Sequence, residues 1–198
     1  MKLLEQTILE RGKHLGNGIL KVDSFMNHQI DPTLMIEIGA EFSRAFFTTG
    51  VTRILTAETS GIAPALAAGM SLRVPVVFAR KHKPITMADA LSESAPSATK
   101  GGVVNLIVSS EYISGQDNIL IIDDFLASAQ TILALAKLVK QSGANLVGIG
   151  AVIEKTYSGG RALLEPLQVP IVTLAAIGGY EGEKILLAPS EPAKAGSP

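Results

Sequence analysis

One segment, residues 118–131, constrains the fold of this chain more than any other, and it reads NILIIDDFLASAQT. Four aliphatic residues lead into two adjacent carboxylates, Asp123 and Asp124, and a loop of small and hydroxylated residues follows. An uninterrupted apolar run of this length is typical of a strand buried on both faces of a parallel sheet. The residues after the loop predict a helix, with Ser128 as its N-cap and Gly143 at its end.

This arrangement predicts a ligand site where the strand leaves the sheet, because ligands of open α/β sheets bind at the carboxyl ends of the strands. The start of the helix offers free N–H groups that suit a phosphate, and the two acids suit sugar hydroxyls or a hydrated Mg2+ ion. The alternative is that Asp123 and Asp124 only cap a loop. The loop lacks the G-x-x-x-x-G-K and G-x-G-x-x-G patterns of other nucleotide-binding proteins.

Strands and helices alternate along most of the chain. A helix predicted over 33–49 and ended by Gly50 is followed by a strand RILTA, a helix IAPALAAGMSL and a strand VPVVFA. The same order recurs after residue 118, with a further strand NLVGIGAVI. This alternation predicts an α/β fold with a twisted, mostly parallel sheet flanked by helices.

Composition excludes several classes of protein. The length of 198 residues predicts a single domain, and the net charge of −1 argues against a nucleic-acid-binding protein. Without cysteine, disulfides and thiolate chemistry are excluded, and three scattered histidines predict no His metal cluster. Because no signal peptide or bilayer-length apolar run is visible, we expect a cytoplasmic protein without a membrane partner. The mean hydropathy of +0.34 fits a buried sheet, with an apolar dimer face as a further option.

The segment IIDDFLASAQT resembles the phosphoribosyl-diphosphate motif of the type I phosphoribosyltransferases. Four more segments resemble the xanthine-using branch of that family: GILKVDSFMNHQIDP at 18–32, AETSGIAPA at 57–65, VVFARKHKP at 76–84 and GIGAVIEKTYSGGR at 148–161. The resemblance covers essentially residues 1–188. It implies the type I phosphoribosyltransferase fold and an enzyme of purine salvage. That enzyme would convert xanthine and 5-phosphoribosyl 1-diphosphate (PRPP) into xanthosine 5′-monophosphate and pyrophosphate.

The resemblance also assigns the residues that bind PRPP. Asp123 and Asp124 would be catalytic, accepting hydrogen bonds from the ribose hydroxyls and favouring a cationic sugar. The 5′-phosphate would lie in a loop formed by Ala127, Ser128, Ala129, Gln130 and Thr131. Relatives often have two glycines at the positions of Ala129 and Gln130. A positive φ at Ala129 would cost about 1 kcal/mol, so either the turn avoids it or PRPP binding is weakened.

The departing pyrophosphate would meet a second loop, formed by Glu58, Thr59, Ser60 and Gly61. Arg80 and Lys81 follow the next strand and would clamp the polyanion. Without the resemblance, the loop could be a simple turn with Ser60 as N-cap, and the basic residues a solvated run. Mg2+ would be held mainly by PRPP and water, with no permanent metal site in the protein.

The purine would be recognised by side chains from both ends of the chain. By resemblance, Leu20, Asn27 and Lys155 would contact xanthine, with Phe125 packed on the base. Lys and Asn side chains can donate to the two carbonyl oxygens of xanthine. Without the resemblance, Asn27 could be a turn residue and Lys155 a surface charge. Ala127 stands where hypoxanthine-guanine relatives carry an aspartate, so the proton acceptor for the purine is unassigned.

We expect one domain over 1–198, with a small hood from 1–32 and 153–188. A mobile hairpin or lid is predicted over 81–115, with an ordinary exposed loop as the alternative. The tail 189–198 is expected to be disordered. The resemblance also implies a homodimer. Two rival functions stay open: an adenine or hypoxanthine-guanine phosphoribosyltransferase, and a non-catalytic PRPP-sensing regulator of the same fold.

Overall fold

The computed structural model describes residues 1–96 and 102–189. The residues 190–198, which make up nearly all of the predicted tail, lie outside the described part. The helices are α1 (Lys2–Arg11), α2 (Pro32–Phe46), α3 (Ile62–Leu72), α4 (Gln130–Ser142) and α5 (Gly160–Leu164). The strands are β1 (Lys13–His14), β2 (Leu20–Lys21), β3 (Arg53–Ala57), β4 (Val76–Ala79), β5 (Ala90–Pro96), β6 (Val103–Ser109), β7 (Asn118–Leu126), β8 (Asn145–Lys155), β9 (Ile171–Glu181) and β10 (Lys184–Leu187).

A six-stranded sheet in the order β10-β9-β8-β7-β3-β4 forms the centre of the protein. Neighbouring strands are parallel except for β10, which pairs antiparallel with β9. The predicted α/β fold with a mostly parallel sheet is therefore confirmed. The carboxyl ends of β3, β4, β7 and β8 all lie at one edge of this sheet, where the sequence places the chemically active residues.

The apolar run of β7 is buried on both faces of the sheet, as predicted for a central parallel strand. Leu120 and Ile122 belong to the core that α1, α2 and α3 cover, whereas Ile119 and Ile121 belong to the core beneath α4. All four side chains are 0% exposed. The strand therefore cannot shift by one residue without exchanging its two buried faces, which fixes the position of the acids that follow.

Helix α2 shows how local signals and packing agree. Pro32 occupies its first turn, and the Asp31 side chain accepts a hydrogen bond from the Leu34 amide at 3.3 Å. On the sheet side, the ring of Phe42 fills the space above Gly150, where an added Cβ would lie 2.7 Å from the ring. A glycine in β8 thus lets the helix approach the sheet closely.

The predicted long excursion contains a hairpin, in which β5 and β6 pair antiparallel from Ala90 opposite Ser109 to Pro96 opposite Val103. The hairpin packs against α4. Glu93 accepts a hydrogen bond from Gln141 at 2.5 Å and lies 3.8 Å from the Lys137 ammonium. The described part of this excursion therefore contains a hairpin, while a mobile lid over 81–115 stays a prediction. Among the described residues, no helix is long and apolar enough to cross a membrane.

Candidate active site

A cleft with a cavity volume of about 570 Å³ opens at the carboxyl edge of the sheet. It collects side chains from six separate parts of the chain, which the fold brings together. Fifteen of the seventeen site residues predicted from the sequence line it: Leu20, Asn27, Glu58, Thr59, Ser60, Lys81, Asp123, Asp124, Phe125, Ala127, Ser128, Ala129, Gln130, Thr131 and Lys155. The two exceptions are Gly61 and Arg80.

The two acids lie inside β7, which continues to Leu126, and do not follow it as the sequence suggested. Asp123 and Asp124 are 7% and 9% exposed, and the Asp124 amide donates a hydrogen bond to Asp123 Oδ1 at 3.0 Å. Burial raises the pKa of the Asp123 carboxyl, and the neighbouring Asp124 charge raises it further, against a smaller opposing effect of Lys81. The ionised form of Asp123 is therefore disfavoured at this position in the cleft.

The loop after β7 takes the strained form that the sequence left open. Ala129 has φ = 60°, in the left-handed region, and it is the N-cap residue of α4. No side chain caps this helix, so the predicted N-cap Ser128 is wrong. The loop is held from behind by Gly160, where an added Cβ would lie 2.0 Å from the Ala127 carbonyl oxygen. The first residues of α4, which have no side-chain cap, line the same cleft as the two acids.

The second loop connects β3 to α3. Glu58 and Thr59 are joined by a cis peptide bond. Gly61 occupies the N-cap position without a side-chain cap, so Ser60 is not the N-cap considered from the sequence. Gly61 lies behind the cleft wall, where an added Cβ would be 2.9 Å from Asp123 Oδ1. This glycine allows the loop to approach the buried acid.

The basic residues after β4 separate into two environments. Lys81 lines the cleft, and its amide donates a hydrogen bond to Glu58 Oε1 at 2.7 Å, which ties the two segments together. Arg80 is exposed, with its guanidinium 5.9 Å from the Phe78 ring centroid. Its backbone exchanges two hydrogen bonds of 2.8 Å with Ile107 in the hairpin. Arg80 therefore connects the sheet to the hairpin, while its side chain lies outside the cleft.

Lys155, at the end of β8, provides a positive charge in the cleft. Its Nζ lies 5.3 Å from the Phe125 ring centroid and donates a hydrogen bond to the Gly18 carbonyl at 2.8 Å. Partial burial lowers the pKa of this ammonium, and the Asp124 charge acts in the opposite direction. Leu20 and Asn27, from the N-terminal segment, line the same part of the cleft.

The end of β8 is fixed by a buried ion pair between Glu154 and Arg161, which no sequence pattern had indicated. Glu154 is 5% exposed and accepts hydrogen bonds from Arg161 Nε at 2.9 Å and from Thr173 Oγ1 at 2.9 Å. Because neighbouring residues of a strand point to opposite faces, Glu154 anchors the strand while Lys155 points into the cleft.

Seven lining residues were not expected from the sequence. They are small or apolar, and four of them come from the hairpin: Ile19, Ala57, Ala95, Pro96, Val104, Leu106 and Ile132. For the hairpin residues, the only indication in the sequence was the alternation of side chains along β5 and β6. This alternation does not show which face of the hairpin lines a cleft.

Among the described residues, no group of three or more His, Cys, Asp or Glu side chains could hold a metal ion. Two adjacent carboxylates and a loop of free amides are instead suited to a ligand that carries both hydroxyl groups and phosphate. A sheet of this topology with such a cleft at its carboxyl edge defines a class of protein that transfers or binds phosphorylated sugars.

Comparison with known proteins agrees with this class. Residues 36–172 match the family model of the phosphoribosyl transferase domain, so the chain belongs to the phosphoribosyltransferase family. A solved adenine phosphoribosyltransferase from Thermoanaerobacter pseudethanolicus superposes with a TM-score of 0.73, covering 87% of this chain and 99% of that one. At 22% identity, this likeness concerns the fold alone.

Two relatives identify the branch of the family. The xanthine phosphoribosyltransferase of Lacticaseibacillus casei (strain BL23) is 46% identical over 192 residues, which is 96% of this chain and all of the relative. The xanthine phosphoribosyltransferase of Listeria monocytogenes serotype 4b (strain F2365) is 48% identical over the same length and coverage. The resemblance noted in the sequence is therefore confirmed: the chain groups with the xanthine phosphoribosyltransferases.

Proposed function

We propose that this protein transfers the 5-phosphoribosyl group of PRPP to xanthine, forming xanthosine 5′-monophosphate and pyrophosphate. A ring nitrogen of xanthine forms a bond to C1 of the ribose, and the bond from C1 to the pyrophosphate oxygen breaks. The observation that carries the proposal is the shared cleft, which is lined by Lys155 and by the acid pair with its phosphate loop. The full-length similarity to enzymes named for xanthine supports the same substrate.

The phosphate loop would hold the 5′-phosphate of PRPP. Amides at the start of α4 would donate to the phosphate, together with the hydroxyls of Ser128 and Thr131, which line the cleft. Charge-assisted hydrogen bonds of this kind contribute roughly 1.5–3 kcal/mol each. The adjacent acids, Asp123 and Asp124, would accept hydrogen bonds from the ribose hydroxyls. Their negative potential would favour the positive charge that develops on the sugar as pyrophosphate leaves.

The leaving pyrophosphate would lie against the loop 58–61 and the Lys81 side chain. Amides at the start of α3 favour an anion there, and the cation at Lys81 adds a direct charge. The Glu58 carboxylate accepts from the Lys81 amide, which holds the lysine at the loop. A contact of Arg80 with pyrophosphate is proposed from the resemblance alone. Its guanidinium would have to leave the Phe78 ring to reach the cleft.

Mg2+ is proposed as the cofactor, held by PRPP oxygens and water. The donor set fits this arrangement, because two adjacent carboxylates are hard oxygen donors but too few for a complete protein-held site. When bound, the ion would offset the charge of the pyrophosphate. The protein's part is to orient the ribose through Asp123 and Asp124, and to exclude water from C1 beneath the hairpin.

Xanthine would lie between Phe125 and the N-terminal segment, with its carbonyl oxygens facing the Lys155 ammonium and the Asn27 amide. Adenine carries an amino group at C6, which would meet a hydrogen-bond donor and leave both groups unpaired. Such a mismatch can reduce kcat/KM by roughly 10⁴-fold. The proton acceptor for the purine stays unassigned, because Ala127 provides no carboxylate at that position.

The organisation of the molecule includes further proposals. We propose that 1–32 and 153–188 form a hood over the base, that 81–115 act as a mobile lid, and that the protein works in the cytoplasm as a homodimer. Contact of Leu20, Asn27 and Lys155 with one cleft supports the first, and the hairpin wall of that cleft supports the second.

A purine panel tests the proposed function. The purified protein is given PRPP, Mg2+ and one of xanthine, guanine, hypoxanthine or adenine, and pyrophosphate release is followed. We expect xanthine to give the highest kcat/KM. A preference for adenine or hypoxanthine would assign the protein to another branch of the family, and no release with any purine would support a PRPP-sensing regulator instead.

A variant of Lys155 adds a residue-level control. Lys155→Met keeps an apolar stem of similar length but removes the ammonium. We expect a rise of at least about tenfold in KM for xanthine, because a charged hydrogen bond is lost, with KM for PRPP changed less than about twofold. An equal rise in both constants would indicate a general disturbance of the cleft.

A further inference from the structure

The Lys155 ammonium donates its hydrogen bond to a backbone oxygen of the N-terminal segment. Nζ lies 2.8 Å from the Gly18 carbonyl oxygen, and the Tyr157 hydroxyl donates to the same oxygen at 3.4 Å. One carbonyl oxygen has two lone pairs and can accept both bonds. A lysine ammonium has three N–H groups, so the bond to Gly18 fixes the direction of the other two.

Gly18 lies in a tight turn between β1 and β2 whose backbone is left-handed at three successive residues. The φ angles are 86° at Gly16, 50° at Asn17 and 71° at Gly18. The turn is closed by hydrogen bonds of 2.9 Å between the backbones of Leu15 and Ile19 and of Gly16 and Ile19. A turn with this geometry presents the Gly18 carbonyl in one direction, towards the end of β8.

Tyr157 is held between the sheet and this turn. Its ring meets the Tyr180 ring edge-on at 6.1 Å, and the two hydroxyls are 3.5 Å apart. Tyr180 in turn stacks on His14 of β1 at 3.8 Å between ring centroids, with the planes 6° apart. Tyr157 is therefore braced by the sheet while its hydroxyl contacts the turn.

We propose that the Gly18 carbonyl positions Lys155 for the base, and that Tyr157 is the positioning residue that holds this carbonyl in place. The inference rests on the proposed function, because it concerns how Lys155 is aimed at the carbonyl oxygens of the purine. Tyr157 does not line the cleft. It acts on the substrate only through Gly18 and Lys155, and so contributes to purine binding without touching the purine.

Tyr157→Phe removes the hydroxyl and keeps the ring that packs on Tyr180. We expect KM for xanthine to rise about threefold to tenfold, the effect of one neutral hydrogen bond, with kcat and KM for PRPP within about twofold of wild type. Thr33→Val is the control, because it also removes one hydroxyl, and this threonine is exposed and lies outside the cleft. It should change none of the three constants.

Gly18→Ala disturbs the same carbonyl from the other side. The added Cβ would lie 3.4 Å from the Tyr157 hydroxyl, and an alanine is strained at a φ of 71°. The turn should rotate and the xanthine KM should rise as in Tyr157→Phe. Thermal melting of each variant checks that the fold is retained, which keeps the two kinetic results comparable.

A double-mutant cycle separates positioning from simple packing. If Tyr157 acts through Lys155, Tyr157→Phe should have no further effect on xanthine kcat/KM in the Lys155→Met background. Where turnover of that background is too slow, equilibrium binding of xanthosine 5′-monophosphate supplies the same cycle. An unchanged xanthine KM in Tyr157→Phe, or independent effects in the double variant, would overturn the inference. A wild-type protein inactive with xanthine would instead overturn the proposed function, and the inference with it.

Discussion

At the scale of single residues, the buried Asp123 carboxyl is unfavourable for folding when it is ionised, but the proposed chemistry needs its charge. Burial raises its pKa, and the neighbouring Asp124 charge raises it further. The unfolded chain ionises this carboxyl near pH 3.9, so the folded state loses stability as the pH rises from that value through the folded pKa. The protein therefore keeps at the centre of its cleft a group that disfavours folding at neutral pH.

Asp123→Asn should remove this penalty and the activity together. We expect the variant to unfold at higher urea concentration than wild type near pH 7, with the difference shrinking as the pH falls towards about 4. Loss of the carboxylate should lower kcat/KM roughly a hundredfold. Urea titrations at both pH values and the pyrophosphate assay measure the two effects. A variant that is less stable than wild type at pH 7 would contradict the assigned cause of the pKa shift.

Gly160 sets the shape of the phosphate loop from outside it. Gly160→Ala would place a Cβ 2.0 Å from the Ala127 carbonyl oxygen and 2.9 Å from the Ala129 amide, so the loop must move. We expect Kd for PRPP, measured by calorimetry, to rise at least about tenfold, since several phosphate hydrogen bonds depend on the loop. The neighbouring Gly159→Ala meets nothing within 4 Å and adds only the strain of its φ of 70°. That control should bind PRPP as wild type does; equal losses in both variants would refute the role of Gly160.

Individual residues were predictable where their chemistry was distinctive. The acid pair could be proposed from the residues themselves, because a strand, two acids and a helix start in succession suit a phosphorylated sugar. Lys155 could be proposed only through the resemblance. The sequence left two options open for the backbone of Ala129, with and without a positive φ. The identity of an alanine does not indicate its φ, and the surrounding loop determines the left-handed value found here. The exposed position of Arg80 depends on its pairing with Ile107, a contact made across a long separation in sequence.

At the scale of elements, the proposal of a lid over the cleft depends on whether the hairpin of β5 and β6 can move. Ala95 and Leu106 line the cleft, and polar contacts with Lys137 and Gln141 hold the hairpin against α4. Surface contacts of this kind are weak, about 0–1 kcal/mol each. Leu106 and Val108 of the hairpin also belong to the core beneath α4, so movement of the hairpin over C1 of the ribose stays a proposal.

Binding of PRPP with Mg2+ should slow hydrogen exchange in this hairpin. We expect the amides of 90–96 and 103–109 to become more protected, because the ligand would fill the space that these strands face. Hydrogen exchange followed by mass spectrometry measures the change, and β9, whose contacts lie away from the phosphate loop, serves as the internal reference. Unchanged protection of the hairpin alongside protection of 127–131 would show that the hairpin is not a lid.

Most elements followed from local pattern, and most errors concerned their ends. The apolar run of β7 and the helix ended by Gly143 were found as predicted. The predicted N-cap Ser128 of α4 was wrong, and the alternative of Ser60 as N-cap of α3 was not found, because neither helix start has a side-chain cap. Capping rules describe helices that satisfy their own ends, whereas an anion site needs those ends free.

At the scale of the whole molecule, an apolar surface remains on α2, the turn after it and α3. Four large side chains there are more than half exposed: Ile36, Phe47, Leu66 and Met70. A clustered apolar surface of this kind is typical of an interface. We expect sedimentation velocity to give the mass of two chains, and Met70→Lys to shift it towards one. A single-chain mass for the wild-type protein would contradict the proposed homodimer.

The site as a whole could not be assembled from pattern alone. Its parts lie at Leu20 and Asn27, at 57–60, at Lys81, in the β5–β6 hairpin, at 123–132 and at Lys155. The alternation of strands and helices predicts only that the carboxyl ends of parallel strands meet. The turn before Leu20 and the segment containing Asn27 belong to no strand of the main sheet. Only the resemblance had predicted that Leu20 and Asn27 contact the purine. In the structure, both residues line the cleft.

The central claim is that the loop after β7 and the two acids before it bind PRPP. Isothermal titration of PRPP into the native protein, with Mg2+ present, tests this most directly, and inorganic phosphate in place of PRPP serves as the control ligand. The account predicts saturable binding of one PRPP per chain, weakened in Gly160→Ala and kept in Gly159→Ala. Absence of binding by the wild-type protein under these conditions would contradict it.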